Sequence, residues 1–266
     1  MHFDQLLYQA QAFADNDIAM IIPENWGQGR TVFGGVSAAL LYAAMQTRVE
    51  KGRALRSLTT NFVGPLLVNT PFTFEVEMLR EGKSASQITG RIIQNGQVAV
   101  IQQGCFGGDR TSNIEVENQE RHSMPAPEGL EKLPDIGAGA PHFTQNFDYA
   151  IAQGGMPYSG SDDSRCYGWM RFKHAPEAIT DAHLISLIDC WPPGVLQMMK
   201  VPSPASTMMW NLEFIHPHQP VVPDDWFAYQ ANTRQAAQGY AHAEANIWDA
   251  TGELVAISRQ SIAVFD

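Results

Sequence analysis

The stretch that decides the fold is FTFEVEMLREGKSASQITGRIIQNGQVAVIQQGCF, residues 72–106. Phe72, Phe74, Val76 and Met78 alternate with Thr73, Glu75 and Glu77, the period-two pattern of a half-buried strand. REGKS, residues 80–84, reads as a turn. QITGRIIQ and QVAVIQQGCF flank Asn95-Gly96. That pair tolerates positive φ at both turn positions and is a strong hairpin signal. The stretch is therefore an antiparallel meander. Immediately upstream, VFGGVSAALLYAA places Val36, Ala39, Leu40 and Ala43 at helical spacing. Gly34 and Gly35 lie before that run and Gly52 after it, as start and stop signals. The helix is alanine-rich and carries few charges before Arg48, so most of its circumference should be covered. Residues 30–107 thus read as one helix followed by a meander.

The pattern recurs further along. Thr180-Asp181 can cap a helix beginning near Ala182. STMMWNLEFIHP, DDWFAYQANT, GYAHAEANIWD, the turn DATGE and LVAISRQSIAVF follow it. VGP at Val63–Pro65 matches IHP at Ile215–Pro217, and QNGQVAV at 94–100 matches ATGELVA at 250–256. The offsets are 152 and 156 residues, which indicates a duplicated domain with a longer loop in the second copy. The expected architecture is α+β, each helix packed on one face of a sheet. If the copies pair as a pseudo-dimer, the sheets join edge to edge and two exposed edges disappear. The expected divisions are an N-terminal repeat over 1–107, a linker over 108–165 and a C-terminal repeat over 166–266. The linker mixes Glu115, Glu117, Glu120, Glu128 and Glu131 with Pro, Gly and Ser, so it reads as partly ordered at best.

Composition narrows the function classes. Hydrophobic residues make up 44% of the 266 residues and charged residues 17%, which is ample core material for a globular chain. The net charge of -11 argues against a nucleic-acid footprint and means that an anionic substrate needs a local basic patch. Cys105, Cys166 and Cys190 form no CxxC pair and read as reduced thiols. The N-terminus lacks a signal-peptide pattern, and no apolar run approaches the ~20 residues of a membrane span. A soluble, cytoplasmic protein is expected.

VFGGVSAALLYAA, the 72–106 meander, SLIDCWPP, STMMWNLEFIHP and LVAISRQSIAVF together resemble the acyl-CoA thioesterase II family. Its members are double-hotdog proteins, two helix-wrapped antiparallel sheets in tandem. The resemblance covers about residues 25–107 and 165–266. It implies that an Asp, a Thr and a Gln hold and activate a water, and by position these fall on Asp189, Thr207 and Gln260. Met209 and Trp210 stand where the family often has an Asp-His pair. The first copy carries Gly104 in the place of Gln260, Leu55 in that of Thr207, and a glycine where Asp189 would be. One site per chain is implied.

The residues themselves leave some of this open. Asp189 sits in HLISLIDCWPPGVL, residues 183–196. Pro192 and Pro193 cannot donate to the carbonyls of Ile188 and Asp189, so the helix must break at Asp189. On an ideal wheel, however, Asp189 lies near Ser186, away from Leu184, Leu187, Ile188 and Trp191, where it could face solvent. Alternation sets Gln260 with Ala256, Ile262 and Val264, opposite Arg259. Thr207 groups with Asn211 and Glu213, a polar face, unless a bulge intervenes.

No GxSxG elbow appears, nor HExxH or a closely spaced His/Cys cluster, so neither a serine nucleophile nor a metal is expected. A carboxylate raised by partial burial can act as general base. Gly34 and Gly35 are candidates to bind the developing oxyanion through backbone N–H groups. Arg80 or Lys83 could touch a phosphate, although a solvated turn explains them equally. His216 reads as structural or exposed.

The expected reaction is acyl-CoA plus water to a fatty acid and CoA. It needs no cofactor beyond the CoA of the substrate, and family analogy implies a homodimer or larger assembly. The alternatives are a hotdog hydratase or dehydratase, which pairs a carboxylate with a histidine, and a non-catalytic acyl-ligand binding protein.

Overall fold

A computed structural model describes residues 1–14, 18–133 and 139–265. Three α-helices stand in it, α1 (Phe3–Phe13), α2 (Gly34–Gln46) and α3 (Asp181–Ile188). Two short strands, β1 (Gly27–Gln28) and β2 (Thr31–Val32), pair with each other. The other strands are β3 (Ala54–Phe62), β4 (Thr73–Glu81), β5 (Ala85–Gln94), β6 (Gln97–Gly107), β7 (Glu131–Lys132), β8 (Phe147–Gln153), β9 (Cys166–Phe172), β10 (Ala205–Phe214), β11 (Phe227–Ala237), β12 (Tyr240–Trp248) and β13 (Leu254–Val264). These eleven form one antiparallel sheet in the order β4-β5-β6-β3-β10-β13-β12-β11-β9-β8-β7.

The meander forms as its alternation requires. Asn95 and Gly96 take φ of 54° and 72°, the left-handed pair that turns β5 into β6. Gln238 and Gly239 do the same between β11 and β12, with φ of 54° and 77°.

The strand order reads outward from a central pair, β3 and β10, where Thr59 lies opposite Asn211 and their side chains hydrogen-bond at 2.9 Å. Thr59 and Asn211 are 152 residues apart, the offset of the internal repeat. The register carries the repeat further. β3 slips against β6 between Leu55 and Ser57, and β10 slips against β13 between Thr207 and Met209. The bulged residues, Arg56 and Met208, are again 152 apart.

α2 is buried from Gly35 to Met45. It packs on α1, α3 and the sheet, so covering on every side replaces an amphipathic stripe. α3 is buried from Ala182 to Ile188. The wheel face holding Ser186 is therefore not a solvent face. It lies against the start of α2, where a Cβ on Gly35 would stand 2.8 Å from the Ser186 carbonyl oxygen.

Residues 108–165, expected as a partly ordered linker, contain regular structure. β8 lies within them and pairs with β9; Phe147 and Tyr149 are buried on one face and Ala150 on the other. Upstream, Trp169 and Trp248 donate to the carbonyls of Pro125 (2.9 Å) and Glu120 (3.1 Å). His122 packs edge-on against both indoles, so the segment is strapped to the second half of the sheet. The two halves also share a core. Phe3 of α1 packs on Phe172 and His183, Asp4 bonds His183 at 2.8 Å, and one apolar core runs through residues of both halves.

Candidate active site

α3 ends at Ile188, and Asp189 caps it with φ -85° and ψ -3°. Pro192 and Pro193 enforce the break, and Cys190 N–H closes the last turn on Leu187 O at 3.1 Å. The chain beyond is pinned. Tyr149 Oη donates to the Cys190 carbonyl at 3.1 Å, and the Trp191 ring stacks parallel to Tyr229 and edge-on to Tyr149. Gly168 leaves the space for that indole; a Cβ there would lie 2.7 Å from it.

The Asp189 carboxylate accepts two hydrogen bonds from protein groups. Gln260 Nε2 donates to its Oδ1 at 3.1 Å, and the Gly35 backbone N–H donates to it from the first turn of α2. Thr207 Oγ1 in turn donates to Gln260 Oε1 at 3.2 Å. The three residues thus form a chain, Thr207 to Gln260 to Asp189. The ionised carboxylate can only accept, so it takes the Gln260 NH₂, and the amide oxygen is left for the Thr207 hydroxyl, which donates to it. The bulge at Met208 makes this possible: it shifts Thr207 off the register of Asn211 and Glu213 and onto the side of Gln260.

Burial pushes the Asp189 carboxyl up to about 7, while the Gln260 and Gly35 hydrogen bonds pull in the opposite direction. Desolvation prevails because two donors replace only part of the lost hydration. The same group borders an open cavity of about 1020 Å³, so it is desolvated yet reachable. Gly34, Phe62, Tyr149, Trp191, Thr207 and Gln260 line that cavity beside it. A Cβ on Gly34 would lie 2.9 Å from Asp189 Oδ2, so only glycine lets the helix start approach so closely. Gly34 and Gly35 belong to α2 itself rather than preceding it. Their N–H groups are among those a helix cannot satisfy internally. Gly35 has given its own to Asp189.

Three further residues were missed by motif reading. Arg30, Lys132 and Lys173 lie exposed on the cavity lining, a basic rim on an otherwise acidic protein. No spacing in the sequence links them, since each comes from a different segment. Arg80 and Lys83 are in and after β4 and do not line this cavity. Among the described lining residues there is no histidine. His183 is engaged by Asp4 and Thr180, each at 2.8 Å. The family departures do not touch the site either: Trp210 is buried with Nε1 on Ser258 at 2.8 Å, and Met209 does not line the cavity.

The acyl-CoA thioesterase C-terminal domain family matches residues 122–264, and the acyl-CoA thioesterase N-terminal domain family matches residues 22–107. A search of curated proteins found no match. Among solved structures, a hot dog fold protein of unknown function from Alicyclobacillus acidocaldarius is 22% identical, covers 96% of this chain and 98% of its own, and has a TM-score of 0.80. A putative thioesterase II from Thermobifida fusca is 16% identical, with coverage of 93% and 92% and a TM-score of 0.79. An acyl-CoA thioesterase II, TesB2, from Mycobacterium marinum is 18% identical, with coverage of 96% and 98% and a TM-score of 0.75. At these identities the likeness to solved structures is one of fold.

Proposed function

The chain belongs to the acyl-CoA thioesterase family, and from that membership we propose that it hydrolyses acyl-CoA to a free fatty acid and CoA, with Asp189 as general base on water. The observation that carries this reading is the convergence of Asp189, Gln260 and Thr207 on one wall of a large cavity, with the carboxyl raised to about 7. A base of that strength is half ionised at neutral pH, where general-base catalysis is most effective.

The ionised carboxylate has more lone pairs than its two protein donors use, so it can accept a proton from water. The water oxygen bonds the thioester carbonyl carbon while its proton passes to Asp189. The carbonyl oxygen becomes an oxyanion. Gly34 N–H, at the positive end of α2, stabilises it, and Gly35 orients the base. The intermediate collapses with rupture of the C–S bond, and the proton held by Asp189 passes to the departing thiolate. Arg30, Lys132 and Lys173 receive the CoA phosphates at the rim. No cofactor enters these steps. The chain folds as a double hotdog, its two halves related as a pseudo-dimer about β3 and β10. The mirrored strand order and the paired bulges at Arg56 and Met208 support this arrangement. It acts as a homodimer or larger assembly in the cytoplasm. The hydratase alternative needs a histidine beside Asp189, and there is none among the described lining residues.

The test is thiol release from acyl-CoAs of graded chain length, wild type against Asp189→Asn. Release from at least one chain length, falling about 10²–10⁴-fold in the variant, is expected. Binding without release at any length would leave a non-catalytic binding protein instead.

A further inference from the structure

Asp181, His216 and His218 come together at the opposite end of α3 from Asp189. One ligand atom from each lies within 4.8 Å of the others, and all three residues are largely enclosed. Asp181 is the first residue of α3, and the two histidines follow β10. The imidazole rings face each other at 4.9 Å between centroids. The Nε2 atoms of both are buried and have no hydrogen-bond partner among the described residues. His218 Nδ1 lies 3.1 Å from the Gln219 carbonyl, the contact that places the proton on Nδ1 and leaves Nε2 with a free lone pair. Tyr42 Oη donates to Asp181 Oδ2 at 3.2 Å, orienting the carboxylate from α2. Two buried nitrogen lone pairs beside a carboxylate are costly without an electrophile between them.

The location has a meaning within the repeat. Gly104 and Leu55 stand 156 and 152 residues before Gln260 and Thr207. His216 interacts with the Leu55 backbone. Tyr42 reaches the start of α3 as Asp189 reaches the start of α2, and its ring stacks on Phe106, next but one to Gly104. Tyr42, rather than a glycine, therefore stands in the place of Asp189. The cluster occupies the position in the first half that the Asp189 site occupies in the second.

We propose that Asp181, His216 and His218 bind one divalent first-row transition-metal ion of the zinc type, at the place in the duplication where the carboxylate site has been lost. Two imidazoles and one carboxylate are a ligand set that zinc and its neighbours take with a position left open. Bond lengths of about 2.0–2.1 Å require the three groups to draw inward by side-chain rotation. The nearby cation, Arg56, is held away by the Gly107 carbonyl at 3.0 Å and Asp109 at 3.1 Å. The ion ties the N-terminus of α3 to the segment after β10 and takes no part in thioester chemistry.

The test uses tag-free full-length protein, stripped with chelator and titrated calorimetrically with ZnCl₂. One equivalent per chain is expected, with affinity at least tenfold weaker in each of His216→Ala, His218→Ala and Asp181→Asn. Thermal melts of the metal-free variants check folding. Should a variant fail to fold, the visible spectrum of the wild type with Co²⁺ decides: ligand-field bands at one equivalent support the site, and their absence overturns it. No stoichiometric uptake by the wild type, or uptake unchanged in folded His216 and His218 variants, also overturns it. Neither readout depends on the hydrolase reading.

Discussion

Among single residues, one carboxyl group governs the proposed chemistry. Asp189 is raised from 3.8 to about 7 by burial, so its active, ionised form grows in as pH rises through neutrality. kcat/KM should accordingly climb between about pH 5 and pH 8 with a midpoint near 7. Gln260→Ala removes a hydrogen bond that favours the ionised form, so the midpoint should move higher and the plateau should fall. A pH–rate profile of both proteins checks this; a midpoint near 4, or one unmoved in the variant, would show that Asp189 is not the titrating base. Linkage runs the opposite way with pH. The folded state holds the Asp189 proton more tightly than the unfolded chain, so this group's stabilising contribution is full below about pH 4 and lost as pH rises towards 7. The helix stop at Asp189 was legible, because the two prolines require it; a role for the residue is implied only by the family resemblance. Gln260 followed from alternation. Thr207 did not, since a β-bulge leaves no mark in the pattern of polar and apolar residues.

At the scale of the element, the site is made where the start of one helix meets the end of another. Gly35→Ala would place a Cβ 2.6 Å from the Phe33 ring and 2.8 Å from the Ser186 carbonyl. The ring can turn, but the carbonyl belongs to the backbone of α3 and cannot. The helices must separate, breaking the Gly35–Asp189 hydrogen bond. A loss of roughly 1–3 kcal/mol is expected from overpacking of this kind, together with at least a tenfold loss of kcat. Chemical denaturation and thiol release measure the two. Full activity in a stable variant would mean that the close approach is dispensable. The helix of 34–46 and the meander were readable because their periods are regular. The wheel of α3 misled, since a helix covered on all sides has no solvent face for its polar residues. The strand at 147–153 was hidden for a related reason: it lies in a region whose composition, rich in Glu, Pro and Gly, resembles a loop.

In the whole molecule, the proposed double-hotdog duplication has two equivalent positions with different contents. One holds Asp189, Gln260 and Thr207. The other holds Tyr42, Gly104 and Leu55, with Asp181, His216 and His218 alongside. The offsets of 152 and 156 residues could be read from the chain. The meeting of Asp181 with the His-Pro-His segment could not, because it depends on how α3 packs against the end of β10. In the proposed mechanism Asp189 activates water rather than attacking the thioester itself. Single-turnover hydrolysis in H₂¹⁸O, with enzyme in excess over acyl-CoA, is read by mass spectrometry of the acid and of the Asp189 peptide together with the rapid-quench mass of the intact chain, because an anhydride opened at its acyl carbonyl labels the acid just as direct water attack does. Direct attack by water predicts one solvent ¹⁸O in the first-turnover fatty acid, none in the peptide that carries Asp189, and no acyl adduct on the intact chain at any quench time. An unlabelled first-turnover acid with ¹⁸O in Asp189 would establish a covalent anhydride and contradict it.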